Sequence, residues 1–189
     1  LERLTTNLLT AARQAGADAA DAIAVEEHAT SVDVRDGTLE QAERSEGTDI
    51  GLRVLMGTRQ AVVSASSITD ETISEMAERA VAMARLAPED PSVRQARGSE
   101  VSDGRDADAL DLVDPGEGPE PAELERLAFE TEAAARAVEG VTKTDVASAY
   151  TGKRAVHLAT SAGFSGSITR TYHGFHAVAI AGDGLGMER

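Results

Sequence analysis

Three histidines in the last third of the chain are the side chains best suited to bind a metal ion. His173 and His176 are three positions apart, and His157 precedes them on a neighbouring predicted strand. Three imidazoles could together bind zinc. Positions three apart on a strand point to opposite faces, however, and no cysteine or well-placed carboxylate completes a ligand set. The spacing therefore favours ordinary turn and sheet histidines, and a zinc-dependent hydrolase built on the three is the alternative.

A glycine-rich stretch near the end of the sequence has the second pattern with chemical potential. Gly182, Gly184 and Gly186 follow an apolar strand in the spacing G-x-G-x-G. A dinucleotide-binding fingerprint needs a parallel strand before the glycines and a helix after them. The sequence predicts neither at this place, so the glycines are interpreted as a turn.

Hydroxyl and carboxyl groups also cluster, without the context that catalysis requires. Ser64, Ser66 and Ser67 lack the G-x-S-x-G elbow of a nucleophile and are typical of an edge strand, which could accept a peptide by strand addition. The Asp and Glu residues between Pro88 and Pro121 lack a fixed scaffold, so they do not indicate a two-carboxylate hydrolase site. The residue types and spacings predict no catalytic, cofactor-binding or metal-binding residue in this chain.

Acidity dominates the first three quarters of the chain. Residues 1–140 contain 13 Lys and Arg against 30 Asp and Glu, a net charge of −17, whereas residues 141–189 contain 5 against 3, a net charge of +2. Like charge repels phosphate, so direct nucleic-acid binding by the first part is not expected. The charge is interpreted as a contribution to solubility, and binding of a basic partner is the alternative.

Composition also indicates the cellular compartment. The 189 residues contain no cysteine, which rules out disulfides, thiolate zinc ligands and a thiol nucleophile within them. No apolar run approaches the ~20 residues of a membrane-spanning helix, and no charged-then-apolar leader opens the chain. The sequence therefore predicts a cytoplasmic protein without membrane contact.

The elements that would position these side chains are clearest between Glu43 and Pro88. Apolar residues alternate with polar or small ones from Ile50 to Met56, which predicts a half-buried strand, and residues 60–66 are predicted to return as its hairpin partner. A helix follows, with Thr69 as its N-cap and Pro88 as its end. Residues 1–88 are therefore predicted to form an α+β domain with an antiparallel sheet.

The earlier part of this domain shows weaker patterns. A helix ending at Gly16 is predicted first, followed by strands at residues 22–28, 30–35 and 38–44, with Asp36-Gly37 as a hairpin dipeptide. The strand at 30–35 is interpreted either as a continuation of 22–28 or as its partner.

Beyond Pro88 the amino-acid composition changes. Residues 89–121 are rich in Pro, Gly and Asp, and are predicted to be a linker or an extended wrap over the surface. Residues 122–189 are predicted to begin a second α+β domain, apparently truncated, with a helix over 122–139 and an antiparallel β-meander. Its four predicted strands are residues 141–150, 155–161, 164–172 and 175–181, joined by turns at Thr151-Gly152-Lys153, Ala162-Gly163 and His173-Gly174.

Four stretches of the sequence resemble the N-terminal half of the TldD/PmbA family. They are G-A-D-A-A-D from Gly16, E-G-T-D-I-G-L-R-V from Glu46 to Val54, A-P-E-D-P from Ala87 to Pro91, and A-T-S-A-G-F-S-G to M-E-R from Ala159 to Arg189. The second and fourth are the most specific, because their length, glycine placement and order agree with the family. The chain resembles the PmbA (TldE) type more closely than the TldD type.

The resemblance implies a cytoplasmic protein linked to peptide maturation and antitoxin turnover, in a family labelled as modulators of DNA gyrase. It implies zinc only for TldD-type subunits, on an H-E-x-x-x-H helix beyond the equivalent of Arg189. That motif does not occur in this sequence, so no catalytic, cofactor or metal residue is carried over. The resemblance implies pairing with a TldD-type subunit, or with a second copy as a dimer, in a peptidase complex.

The hypothesis that follows from the resemblance is a non-catalytic portion of a PmbA-like subunit. It would shape the substrate chamber and the subunit interface of a zinc peptidase that acts on unfolded peptides, while metal-activated water attacks the peptide carbonyl at the partner's site. The alternative is an acidic module that binds a basic partner such as DNA gyrase and has no role in peptide cleavage.

Overall fold

The computed structural model describes residues 1–101, 110–116 and 118–188. Its helices are α1 (Glu2–Gln14), α2 (Asp70–Leu86) and α3 (Pro121–Arg136). Its strands are β1 (Ala19–Arg35), β2 (Thr38–Met56), β3 (Arg59–Ala65), β4 (Val141–Thr160) and β5 (Ser165–Ala181). Over the described part of the chain, these strands form a sheet in the order β3-β2-β1-β4-β5. The predicted α+β class with an antiparallel sheet is confirmed.

The hairpin and helix predicted between Glu43 and Pro88 are present. β2 pairs with β3 in antiparallel register, with Ile50 opposite Ala65 and Met56 opposite Arg59. The N-cap of α2 is Thr69, whose hydroxyl accepts a hydrogen bond from the Thr72 backbone N–H at 3.1 Å. Alternation and capping are local signals, which is why the sequence identifies this segment correctly.

Several predicted strand breaks are wrong, because the strands are longer. β4 and β5 run through the predicted turns at Thr151-Gly152-Lys153 and His173-Gly174. β1 is continuous through residues 22–35, so of the two interpretations of 30–35 the continuation of 22–28 is confirmed. A Cβ atom at Gly174 would lie 2.7 Å from Tyr150 Oη, and one at Gly152 would lie 2.5 Å from Tyr172 Oη. Each tyrosine thus covers a glycine on the neighbouring strand, and the missing side chain makes room for a ring instead of a turn.

The chain divides into two compact units, each assembled from separate stretches. Unit 1 contains Leu1–Glu27, Gly47–Leu112 and Arg154–Thr169. Unit 2 contains His28–Glu46, Val113–Lys153 and Arg170–Arg189. The long strands β1, β2, β4 and β5 therefore contribute residues to both units. The domain bounds expected from the sequence, 1–88, 89–121 and 122–189, stay a prediction.

Each unit has its own apolar core. In unit 1, α1 and α2 pack on one face of β1, β2 and β3, where alternate residues such as Ala22, Leu52 and Val63 are buried against Leu8 and Met76. In unit 2, α3 packs on β1 and β4. The buried residues of this second core are Val32, Val34, Leu124, Ala128, Ala147 and Ala149. Because alternate strand residues face the helices, the intervening ones form the opposite face of each sheet portion.

The segment after α2 has a short 3₁₀ turn at Gly98–Glu100 and is otherwise irregular as far as it is described. Asp103, Asp106 and Asp108, which contribute to the negative charge of this segment, lie outside the described residues. In the part of the chain that the structure describes, no helix combines the length and apolar character needed to cross a membrane.

Candidate functional site

A cleft of about 1060 Å³ lies in unit 1 and contains residues of the sheet face that α1 and α2 leave uncovered. Large apolar side chains from four strands line it and remain partly exposed. They are Ile23 of β1, Val62 of β3, Leu158 of β4 and Ile168 of β5, with exposed fractions of 38%, 63%, 38% and 40%. Clefts with mostly apolar walls and a few polar groups are the usual form of ligand sites. The cleft is therefore the candidate site.

A glycine on β2 shapes this cleft. A Cβ atom at Gly51 would lie only 2.8 Å from the Cγ2 atom of Ile23 on the neighbouring strand. The Ile23 side chain therefore packs directly over the bare backbone of Gly51, and its apolar surface forms a continuous part of the cleft.

Polar groups in the cleft centre on Asp21 of β1. The Arg53 guanidinium of β2 donates from Nε to the Asp21 carboxylate at 2.6 Å and also pairs with it through Nη2. Gln95 Nε2 donates to Asp21 Oδ1 at 2.6 Å and to the Ala20 carbonyl at 2.7 Å. These bonds hold the segment after α2 against β1, so that Ala96 and Val101 also line the cleft.

His157 lies in the cleft wall with both ring nitrogens engaged. Its Nδ1 is 2.8 Å from Thr5 Oγ1 of α1, and its Nε2 is 3.2 Å from Ser165 Oγ of β5. The residue is only 3% exposed. The sequence singled out His157 for a metal, but Thr5 is 152 positions away and no pattern predicted this hydrogen-bonded chain.

The other predicted histidines have different surroundings. His173 lines a separate pocket of about 350 Å³ in unit 2, and the His176 ring lies 6.3 Å from that of Tyr150. Within residues 1–101, 110–116 and 118–188, no group of three or more His, Cys, Asp and Glu side chains could hold a metal ion. The residues described here therefore do not fit a zinc site.

The glycines and serines that the sequence singled out have structural roles. After β5, the turn containing Gly182, Gly184 and Gly186 brings Glu188 back into an antiparallel bridge with Ala181, as the turn interpretation expects. Ser66 Oγ donates to Asp49 Oδ1 at 2.6 Å, and Ser67 Oγ accepts from Thr72 Oγ1 at 3.3 Å.

A buried carboxylate in unit 2 was not predicted by any sequence pattern. Glu132 of α3 is 3% exposed and accepts hydrogen bonds from the backbone N–H of Asp36 at 2.8 Å, from that of Gly37 at 2.9 Å and from Thr144 Oγ1 at 2.5 Å. Burial acts to raise its pKa, but these bonds and the charge of Arg136 outweigh it and hold the pKa of Glu132 below its usual value. Because both oxygens are committed within unit 2, this carboxylate stabilises the β1–β2 turn.

The fold and the matches to family models define the class of protein. A model described as PmbA/TldA metallopeptidase domain 1 matches residues 20–84, and one described as the PmbA/TldA metallopeptidase central domain matches residues 114–189. The chain thus carries α+β domains of a metallopeptidase-related class. It belongs to the TldD/PmbA family. A comparison with curated protein sequences found no match.

Solved structures share the fold at low sequence identity. TldE from Thermococcus kodakarensis aligns with a TM-score of 0.69 at 14% identity, over 98% of this chain and 41% of that one. A candidate modulator of DNA gyrase from Bacteroides thetaiotaomicron aligns with a TM-score of 0.68 at 16% identity, over 98% of this chain and 42% of that one. The chain therefore spans about two fifths of the length of the solved structures that it matches.

Proposed function

We propose that this chain is the substrate-binding, non-catalytic portion of a PmbA-type subunit, and that the subunit works with a zinc-bearing TldD-type partner to cleave unfolded peptides in the cytoplasm. The observation that carries the proposal is the apolar cleft of unit 1. Membership of the family supports the link to peptidases.

An unfolded peptide is a suitable occupant because it exposes the apolar side chains that a folded protein buries. Monomeric soluble proteins rarely leave a contiguous apolar face open without a binding role. Ile23, Val62 and Leu158 present such a face, and burying them against a ligand is favourable by about 25 cal/mol for each Å² of apolar surface removed from water.

The proposed division of labour assigns the zinc to the partner subunit, because the described residues of this chain provide no ligand set for the metal. This chain would bind and orient the peptide. Holding the reacting groups in the right geometry can by itself supply a large part of the rate enhancement of a catalysed reaction.

The proposal is tested by a peptidase assay on an unfolded apolar peptide, using the full-length protein with and without a TldD-type subunit and zinc. We expect cleavage only when the partner is present. Val62→Asp places a charge in the cleft at a position 63% exposed, so it should raise KM at least roughly tenfold without unfolding the protein. Leu39→Asp is the matched control, because Leu39 is an exposed strand residue outside the cleft.

Two outcomes would contradict the proposal. Cleavage by the full-length protein without the partner would overturn the non-catalytic role. An unchanged KM for Val62→Asp in a complex that does cleave would show that the cleft does not bind the substrate. A steep salt dependence of binding to a basic protein, with no peptidase activity under any condition, would instead favour the acidic binding module.

A further inference from the structure

A serine hydroxyl, an imidazole and a threonine hydroxyl form a continuous chain in unit 1. Ser165 Oγ is 3.2 Å from His157 Nε2, and His157 Nδ1 is 2.8 Å from Thr5 Oγ1. A nucleophile within hydrogen-bond reach of a base, with a third group orienting the base, is the geometric signature of covalent catalysis. Among the described residues, Ser165 and His157 meet that signature.

The donor and acceptor pattern favours the tautomer in which His157 can act as a base. The Thr5 hydroxyl has one proton and lies 2.9 Å from the Glu2 carbonyl oxygen, which can only accept. If Thr5 donates there, His157 Nδ1 must carry the proton that it shares with Thr5 Oγ1. The lone pair of Nε2 then faces Ser165 and accepts the proton of its hydroxyl.

The pair borders the apolar cleft: His157 is 3% exposed and bonds to α1, whereas Ser165 is partly exposed. His157 and Ser165 both line the cleft, together with Leu158, Phe164 and Ile168. The residue after Ser165 is Gly166, and a Cβ atom there would lie 3.1 Å from the Cζ atom of Phe164. The phenylalanine ring therefore packs against the backbone of Gly166, and its apolar surface lines the cleft.

We propose that Ser165 is a nucleophile, with His157 as its general base and Thr5 as a positioning residue, and that the site accepts acyl groups from small esters of apolar carboxylic acids. Ser165 Oγ would form a bond to the ester carbonyl carbon while its proton moves to His157 Nε2. The alkoxide would leave with that proton as an alcohol. Water, deprotonated by His157, would then release the carboxylic acid and restore the serine.

This activity shares the apolar cleft with the peptide-binding role proposed above, but its chemistry is separate from the partner's peptidase reaction. It uses residues of unit 1 only and needs no metal and no partner subunit. A loss of peptide cleavage in the complex would therefore leave it untouched, and the two proposals fail in different experiments.

The test is labelling of the full-length protein by an alkyl fluorophosphonate, followed by mapping of the modified residue by mass spectrometry. We expect modification at Ser165, abolished in Ser165→Ala and slowed about 100-fold in His157→Gln, in keeping with the usual size of general-base effects. Ser64→Ala is the matched control, because Ser64 is an exposed strand residue of unit 1 that lies outside the cleft. It should label at the wild-type rate.

Labelling of the wild-type protein tests the proposal even if a variant fails to fold. No modification at Ser165 in the folded protein would overturn the proposal, as would equal labelling rates in folded wild type and His157→Gln. Nitrogen-15 NMR of the His157 ring gives an independent readout, since a proton on Nε2 rather than Nδ1 would remove the base.

Discussion

At the scale of single residues, Glu132 has the most direct consequence for stability. Its carboxylate accepts from Asp36, Gly37 and Thr144 while almost wholly buried. In Glu132→Gln, one oxygen becomes an NH₂ group that faces a donor, so a charge-assisted hydrogen bond is lost and a buried N–H is left without an acceptor. We expect the free energy of unfolding to fall by about 2–3 kcal/mol at pH 7, measured by urea denaturation.

The same contact gives a pH dependence with a definite sign. The folded-state pKa of Glu132 lies below its ordinary value of 4.5, so its contribution is fully present above about pH 4.5 and is lost as the pH falls through the folded-state value. The difference between wild type and Glu132→Gln should therefore shrink as the medium is acidified. Glu130→Gln, on the exposed side of the same helix, should change stability by less than about 1 kcal/mol at any pH. A constant difference for Glu132→Gln down to pH 3 would contradict this account.

Gly152 should tolerate a methyl group poorly. A Cβ atom there would lie 2.5 Å from Tyr172 Oη and 3.0 Å from the His28 carbonyl oxygen, and that backbone atom cannot move aside as a side chain can. Gly152→Ala should lower the free energy of unfolding by about 1–3 kcal/mol. In Gly47→Ala, also within a strand, the new methyl group has open space, so stability should be unchanged or rise by up to about 1 kcal/mol. Equal effects of the two changes in thermal or urea unfolding would show that the tyrosine packing is unimportant.

At the scale of elements, the segment after α2 depends on a few polar contacts. Gln95 binds the Ala20 carbonyl and Asp21, and Asp90 N–H donates to the Thr58 carbonyl at 2.9 Å. Gln95→Ala should release the stretch around Arg97 without unfolding the helices. Losing about 1–1.5 kcal/mol of local hydrogen bonding should speed tryptic cleavage after Arg94 and Arg97 by roughly 5–10-fold. Gln41→Ala, which removes an exposed contact with Glu43 only, should leave the cleavage rate unchanged.

The elements also show where sequence patterns succeed. The β2–β3 hairpin and α2 were predictable because alternation over Ile50 to Met56 and the cap at Thr69 involve neighbours in the chain. The breaks predicted at Gly152 and Gly174 were wrong because glycine has two opposite uses, as a turn residue and as a place for a neighbouring ring. Only the pairing of β4 with β5 shows which of the two uses applies at Gly152 and Gly174.

At the scale of the whole molecule, the two units are not consecutive segments of the chain. Four long strands contribute to both, so unit 1 and unit 2 each combine stretches from the beginning, middle and end of the sequence. Domain bounds given as consecutive ranges of residues cannot describe this arrangement. The net charge of −15 is a different kind of property, because it follows from composition alone and does not depend on the fold.

The sequence by itself determined the α+β class, the main helices, the β2–β3 hairpin and the family. Each of these depends on periodicity, capping or a short motif, and all of these are set by residues close together in the chain. The tertiary structure alone decided the cleft, the Ser165–His157–Thr5 chain and the burial of Glu132. His157 meets Thr5 across 152 positions, and Glu132 meets Asp36 across 96. Such contacts form only when helix and sheet pack, because their geometry is fixed by the apolar cores and not by any local pattern.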